Sequence, residues 1–171
     1  ATVSALQQRY NVDAAQARQV ERTAMELIRQ WAPDHAAGDQ DEESVLSWAA
    51  QLHEIGLEVS HAQYHRHGAY LLEHSDLPGF AREDQRLLAL LVASHRRRLH
   101  LKRVPELIPP WRRRVPRLIV VLRLAALLHR SRSRGPTPRF RLALRGRKLL
   151  LVFPVGWLRR HPLTRADLEQ E

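Results

Sequence analysis

Apolar positions in the first 130 residues recur with the 3.6-residue period of amphipathic helices. Val20, Ala24, Leu27, Ile28 and Trp31 make one stripe, opened by Asp13 and Gln16 as a capping box and stopped by Pro33. Residues 36–41 read as a polar loop. Val45, Leu46, Trp48, Ala49 and Leu52 predict a helix over 42–55, with Gly56 at its C-terminal stop. A further helix is expected over 60–73, followed by the turn-rich Ser75-Asp76-Leu77-Pro78-Gly79-Phe80. Leu87, Leu88, Leu91 and Val92 predict the next helix, over 83–98. Pro105, Pro109 and Pro110 break the chain, and a helix over 116–129 follows with Pro116 in its first turn.

The period then changes. Residues 131–138 have the Ser/Gly/Pro composition of a linker. Phe140, Leu142 and Leu144 alternate with Arg139, Arg141, Ala143 and Arg145, which predicts a strand. Gly146 marks a turn, residues 148–153 return as a second strand, and Trp157 with the final helical segment packs on the hairpin. The expected class is mainly α. A helical domain over 1–130 and a linker over 131–138 lead into a small α+β piece over 139–171. Trp31, Trp48 and Trp157 fall at packing positions, and Trp111 anchors the loop beside the arginine run.

The absence of cysteine excludes disulfides and thiolate metal sites. The longest apolar run, 118–128, is interrupted by Arg123 and is too short to span a bilayer; no secretory signal is visible at Ala1. No membrane partner and a cytoplasmic location are therefore expected. The chain opens without Met and a helical segment runs into its last residue, so both ends read as cuts from a longer protein.

Charge sharpens the picture because it is segregated. The formal net charge is +10; residues 1–95 hold 7 basic and 14 acidic side chains, whereas residues 96–171 hold 21 and 4. Such asymmetry points to a polyanion or an acidic partner surface. Arg66, Arg96, Arg97, Arg98, Lys102, Arg103, Arg112, Arg113, Arg114 and Arg117 form a candidate phosphate track around the proline-broken loop, extended by His65. Arginine forks bind phosphate oxygens in pairs, and many weak contacts would give affinity that falls with salt. Arg139, Arg141, Arg145, Arg147 and Lys148 read as the wet face of the hairpin or a contact to further domains. Nucleic acid is disfavoured: no groove-reading motif is evident and aromatics make up 6%.

His53 and Glu54 lie side by side at a helix end; His61, His65 and His67 follow, and His95 ends a later helix. The pattern resembles HD-type phosphohydrolases, in which a helical bundle gathers histidines and aspartates around one or two divalent metals. Imidazole and carboxylate suit such cations, which activate water and neutralise phosphate charge.

A closer resemblance covers essentially the whole chain, in order. It rests on Leu6-x-x-Arg9-Tyr10-Asn11-Val12-Asp13, Trp48-Ala49-Ala50-x-Leu52-His53-Glu54-Ile55-Gly56-Leu57 and His65-x-His67-x-Ala69-Tyr70-Leu71-Leu72. Ser75-Asp76-Leu77-Pro78-Gly79-Phe80, Leu91-Val92-x-x-His95-Arg96 and Leu122-Arg123-Leu124-Ala125-Ala126-Leu127-Leu128 continue it. Phe153-Pro154-x-x-Trp157 and Leu163-Thr164-x-x-Asp167-Leu168-Glu169 complete it. Together these are similar to the C-terminal, HD-like part of the bacterial exopolyphosphatase and guanosine pentaphosphate phosphatase family.

The resemblance implies a parent hydrolase whose catalysis resides in two preceding actin-like domains that hold Mg²⁺. No Gly-rich phosphate loop of that kind is present here, with 7 glycines in all. By the same analogy this region binds polyphosphate, contacts those actin-like domains and makes a homodimer, with no cofactor and no catalytic residue of its own. Gln16 stands where the resemblance expects the first metal-ligating His, Glu54 where it expects Asp, and Ala126 where it expects a late Asp. His53, His67 and His95 remain, so His53, Glu54, His67 and His95 are expected as vestiges of a metal site, not ligands. Exopolyphosphatase is the leading parent activity. The alternatives are a guanosine pentaphosphate phosphohydrolase, an autonomous metal-dependent HD enzyme and a nucleic-acid module.

Overall fold

The computed structural model describes residues 2–31, 40–133 and 135–171. Helices α1 (Thr2–Arg9), α2 (Ala14–Trp31), α3 (Gln40–Leu52), α4 (Tyr64–His74), α5 (Arg82–Ser94) and α6 (Pro109–Leu128) form the bundle. A hairpin of β1 (Arg141–Arg145) and β2 (Lys148–Val152) follows, then the short α7 (Trp157–Arg160) and α8 (Pro162–Gln170). The protein is mainly α with one small antiparallel sheet, as its periodicity predicts. Pro33 and most of the loop at 36–41 lie outside the described residues.

Local chemistry explains the helix starts. Asp13 Oδ1 accepts from the amides of Ala15 and Gln16, both at 3.0 Å, and so caps α2. The Asp84 side chain reaches back to the Ala81 amide at 3.1 Å and closes the first turn of α5. Helix α6 begins at Pro109, seven residues before the expected start. Pro109 and Pro110 occupy its first turn, where a missing N–H costs nothing, and Pro116 sits further along on the exposed side.

Val20, Leu27, Leu46, Leu52, Leu72, Leu88, Leu91, Leu118 and Leu122 make one contiguous core with their neighbours. Helix α4 lies along α5, while α2 packs on α3 and α6. Phe140 and Leu142 join the same core, which seats β1 on α2; Leu144, expected inward, is exposed. Gln30 fixes that seat by accepting from the Leu142 amide at 2.7 Å.

Two corrections matter for the site. Helix α3 stops at Leu52, and Gly56 is no helix stop but lies inside a 3₁₀ turn, Ile55–Glu58. A Cβ there would run into the Tyr64 carbonyl and the Gly68 amide, so the turn crosses α4 backbone to backbone. Helix α5 ends at Ser94, so Arg96, Arg97 and Arg98 sit in a turn, with Arg97 in the left-handed region at φ 59°.

Candidate functional site

The close crossing at Gly56 brings the end of α3 against the start of α4, and α5 delivers His95 beside them. His53 and His95 meet edge to face with ring centroids 5.3 Å apart, and His65 stands 6.4 Å from His95 on the other side. All three histidines are buried. His53 Nδ1 lies 2.7 Å from the Ala50 carbonyl and His95 Nδ1 2.6 Å from that of Val92. A carbonyl only accepts, so both Nδ1 atoms bear the proton and both Nε2 atoms are lone-pair acceptors. Burial, foremost, lowers the proton affinity of both rings, for His95 strongly, which keeps them neutral. Tyr64 hydroxyl lies 3.4 Å from His95 Nε2, and burial raises its pKa, so it remains a protonated donor.

A cavity of about 250 Å³ opens onto this group. Gln16, His53, Glu54, His61, Tyr64, His95, Arg96, Ala126, Arg130 and Arg132 are all on its wall. The three positions expected to depart from a metal site therefore do share one cavity. His67 is not on that wall, and His61 is. Gln16 bonds the His129 carbonyl at 2.8 Å, a structural use of its amide. Arg132 Nη2 lies 2.6 Å from Glu54 Oε1, while His53 Nε2 is 3.8 Å from the same oxygen. Among the described residues, no three or more His, Asp or Glu are arranged to hold a metal ion.

On the other side of Tyr64 and His65 lies a groove of about 490 Å³, lined by Ala62, Gln63, His65, Arg66, Arg97, Arg98 and His100. Among the described residues, Arg66, Arg97 and Arg98 have no carboxylate partner; Arg66 is steadied by Gln63 Oε1 at 2.8 Å. His65 Nδ1 is buried with no hydrogen-bond partner. Burial and then the Arg96, His100 and arginine charges lower the His65 pKa to about 4. The same two causes, burial first, lower that of His100. Arg96 stacks over the Tyr64 ring at 4.7 Å, on the wall between groove and cavity.

The rest of the candidate track is dispersed or engaged. Arg103 pairs with Glu73 at 2.7 Å. Arg114 and Arg117 both pair with the buried Glu42, Arg114 at 3.3 Å. Arg112 bonds the Leu107 carbonyl at 2.5 Å, and Lys102 and Arg113 are exposed outside the groove. Arg123, read in the sequence as a break in an apolar run and as part of the family resemblance, supports the groove from behind. Its guanidinium donates to the Ser94 carbonyl at 2.8 Å and the Arg97 carbonyl at 2.7 Å, fixing the turn that presents Arg97 and Arg98. A cavity of about 890 Å³ between α2 and residues 135–141 has no histidine on its wall.

A mainly helical bundle that buries a His-Glu pair, with an arginine on the carboxylate and a basic groove beside it, defines the class of this fold and site. The chain belongs to the Ppx/GppA phosphatase family: residues 1–171 match domain III of that family. It is 36% identical over 170 residues to the guanosine-5'-triphosphate,3'-diphosphate pyrophosphatase of Vibrio cholerae serotype O1, covering 99% of this chain and 34% of that protein. The proteins of the same name from Photobacterium profundum and Pseudoalteromonas atlantica are 34% and 33% identical, with the same coverage. The chain thus spans about a third of the length of the curated relatives it matches.

Proposed function

We propose that this domain docks linear polyphosphate for a phosphohydrolase of the Ppx/GppA type and has no turnover of its own. The observation that supports it best is the groove of Arg66, Arg97 and Arg98 over the unpartnered, buried His65 Nδ1. Three cations without carboxylate partners favour a ligand of dense negative charge. A polyphosphate chain has no bases to stack or read, and no Phe, Tyr or Trp is among the residues that line the groove. In this reading, catalysis, with its Mg²⁺, belongs to the actin-like part of the relatives that this chain does not span, and a second copy of the chain completes a homodimer in the cytoplasm.

Calorimetry with polyphosphate of defined length tests the reading. Three displaced counterions predict a log–log salt slope of about −2, hence about 20-fold weaker binding at 200 than at 50 mM salt. The triple variant Arg66→Ala/Arg97→Ala/Arg98→Ala should lose the salt dependence together with the affinity. Equal affinity in that variant, or a clear preference for DNA of equal charge, would overturn the proposal.

A second reading has its own support in the names of the relatives: the docked polyanion is guanosine pentaphosphate. Competition between polyphosphate and guanosine pentaphosphate on the same groove separates the two, since a short nucleotide that displaces the chain at equal phosphate concentration would favour the second.

A further inference from the structure

The cavity behind the groove contains a contradiction. Their Nδ1 bonds to backbone carbonyls leave Nε2 of His53 and His95 as lone-pair acceptors, that of His95 facing the Tyr64 hydroxyl at 3.4 Å, and Glu54 Oε2 is buried without a partner. That tautomer is the one metal-ligating histidines adopt, with the second nitrogen tied to a carbonyl. Yet the residues do not fit a metal, because a guanidinium is already on the carboxylate: Arg132 reaches Glu54 Oε1 at 2.6 Å and Asp13 Oδ2 at 3.4 Å. Arg132 also holds a left-handed backbone, φ 51°, that side-chain-bearing residues avoid unless their surroundings impose it. Asp13 meanwhile caps α2 through its other oxygen.

We propose that Arg132 is the resident cation of this cavity: it supplies to Glu54 the positive charge that a divalent metal would supply, and in doing so it latches residues 131–133 to the bundle. The physical requirement is plain. A carboxylate buried beside neutral imidazoles needs a counter-charge. Once the aspartate positions that would anchor a metal are Glu54 and Ala126, a fixed guanidinium meets that need without an ion. The latch sits directly between α6 and the segment leading to the hairpin, so it sets where that segment leaves the bundle. Neither point depends on what fills the arginine groove.

Cobalt(II) titration followed by visible absorption tests the first half. Arg132→Ala should bind one Co²⁺ at least about tenfold tighter than the unsubstituted chain, the scale on which single supporting residues tune metal sites. Adding His53→Ala should abolish the gain, and Arg132→Lys, which keeps the charge, should not show it. Equal Co²⁺ affinity with and without Arg132, or a gain that survives His53→Ala, would overturn the idea.

The second half is read without any metal, in a variant that keeps the arginine. In Glu54→Gln the counter-charge is gone, and trypsin should cleave after Arg132 about fivefold faster, because cleavage follows the population of the opened segment. An unchanged rate in a variant with unchanged circular dichroism would show that the pair latches nothing.

Discussion

Lowering the pH from 7 to 5 should remove about 4 kcal/mol of stability through two histidines alone. His129 is buried with its Nε2 2.7 Å from Thr23 Oγ1, and burial, followed by the Arg22 and His53 charges, lowers its pKa to about 4. His65 is lowered to about 4 by burial and by the arginines of the groove. The sign follows from which state holds more protons. Both groups titrate near 6.5 when unfolded, so below that pH the unfolded chain takes up protons that the folded chain refuses, and stability falls with pH. A shift from about 6.5 to about 4 removes about 2 kcal/mol per group between pH 7 and 5. His53 and His95, also lowered chiefly by burial, act in the same direction. At pH 5 ordinary carboxylates are still mostly ionised, so the loss is assignable to histidine. With a urea m-value of about 2 kcal/mol/M, the unfolding midpoint should drop by about 2 M. A change under about 1 kcal/mol, or imidazole resonances of His65 and His129 that titrate near 6.5, would refute the reasoning.

Gly56→Ala should cost about 3 kcal/mol and lower Tm by about 8 °C, because the clash is with the α4 backbone, which cannot step aside; a scanning calorimeter reads it directly. Glu42→Ala leaves Arg114 and Arg117 without their buried carboxylate and should cost about 2 kcal/mol in urea denaturation. Polyphosphate affinity should be higher at pH 5.5 than at 7.5 at constant salt, since a bound polyanion favours protonated His65 and His100; calorimetry in two buffers should register the proton uptake. Arg123→Ala should weaken polyphosphate binding severalfold although Arg123 is not on the groove wall, because the turn presenting Arg97 and Arg98 loses the two ties that its guanidinium makes.

The helical stripes were legible because 3.6-residue periodicity survives in any sequence that buries one face, and α2, α4 and α5 lie close to where it puts them. The errors cluster where local rules have two outcomes. Proline both breaks helices and starts them, and at Pro109-Pro110 the second use wins. Glycine both stops helices and permits backbone contact, and at Gly56 again the second wins. The positions of Gln16, Glu54 and Ala126 were readable as departures, and their meeting in one cavity gives those departures a common place. What spacing could not supply was the pairing of charges. Nothing near Arg117 in sequence announces Glu42, and nothing near Arg132 announces Glu54 across 78 residues. A run of arginines therefore reads as one cationic surface, while in the fold part of it is neutralised and only part faces the groove.

The row of rings from His53 through His95 to His65 has one more effect. His53 and His95 line the cavity and His65 lines the groove, and the three imidazoles follow one another at spacings of 5.3 and 6.4 Å in an interior where salt screens little. A charge gained on one side is felt as a field on the other, with no helix moving. Titration curves of the three rings should therefore be entangled: an anion in the arginine groove would move the midpoint of His53, and loss of Arg132 would move that of His65. Proton occupancy, more than shape, is the means by which the two halves of this site can sense each other.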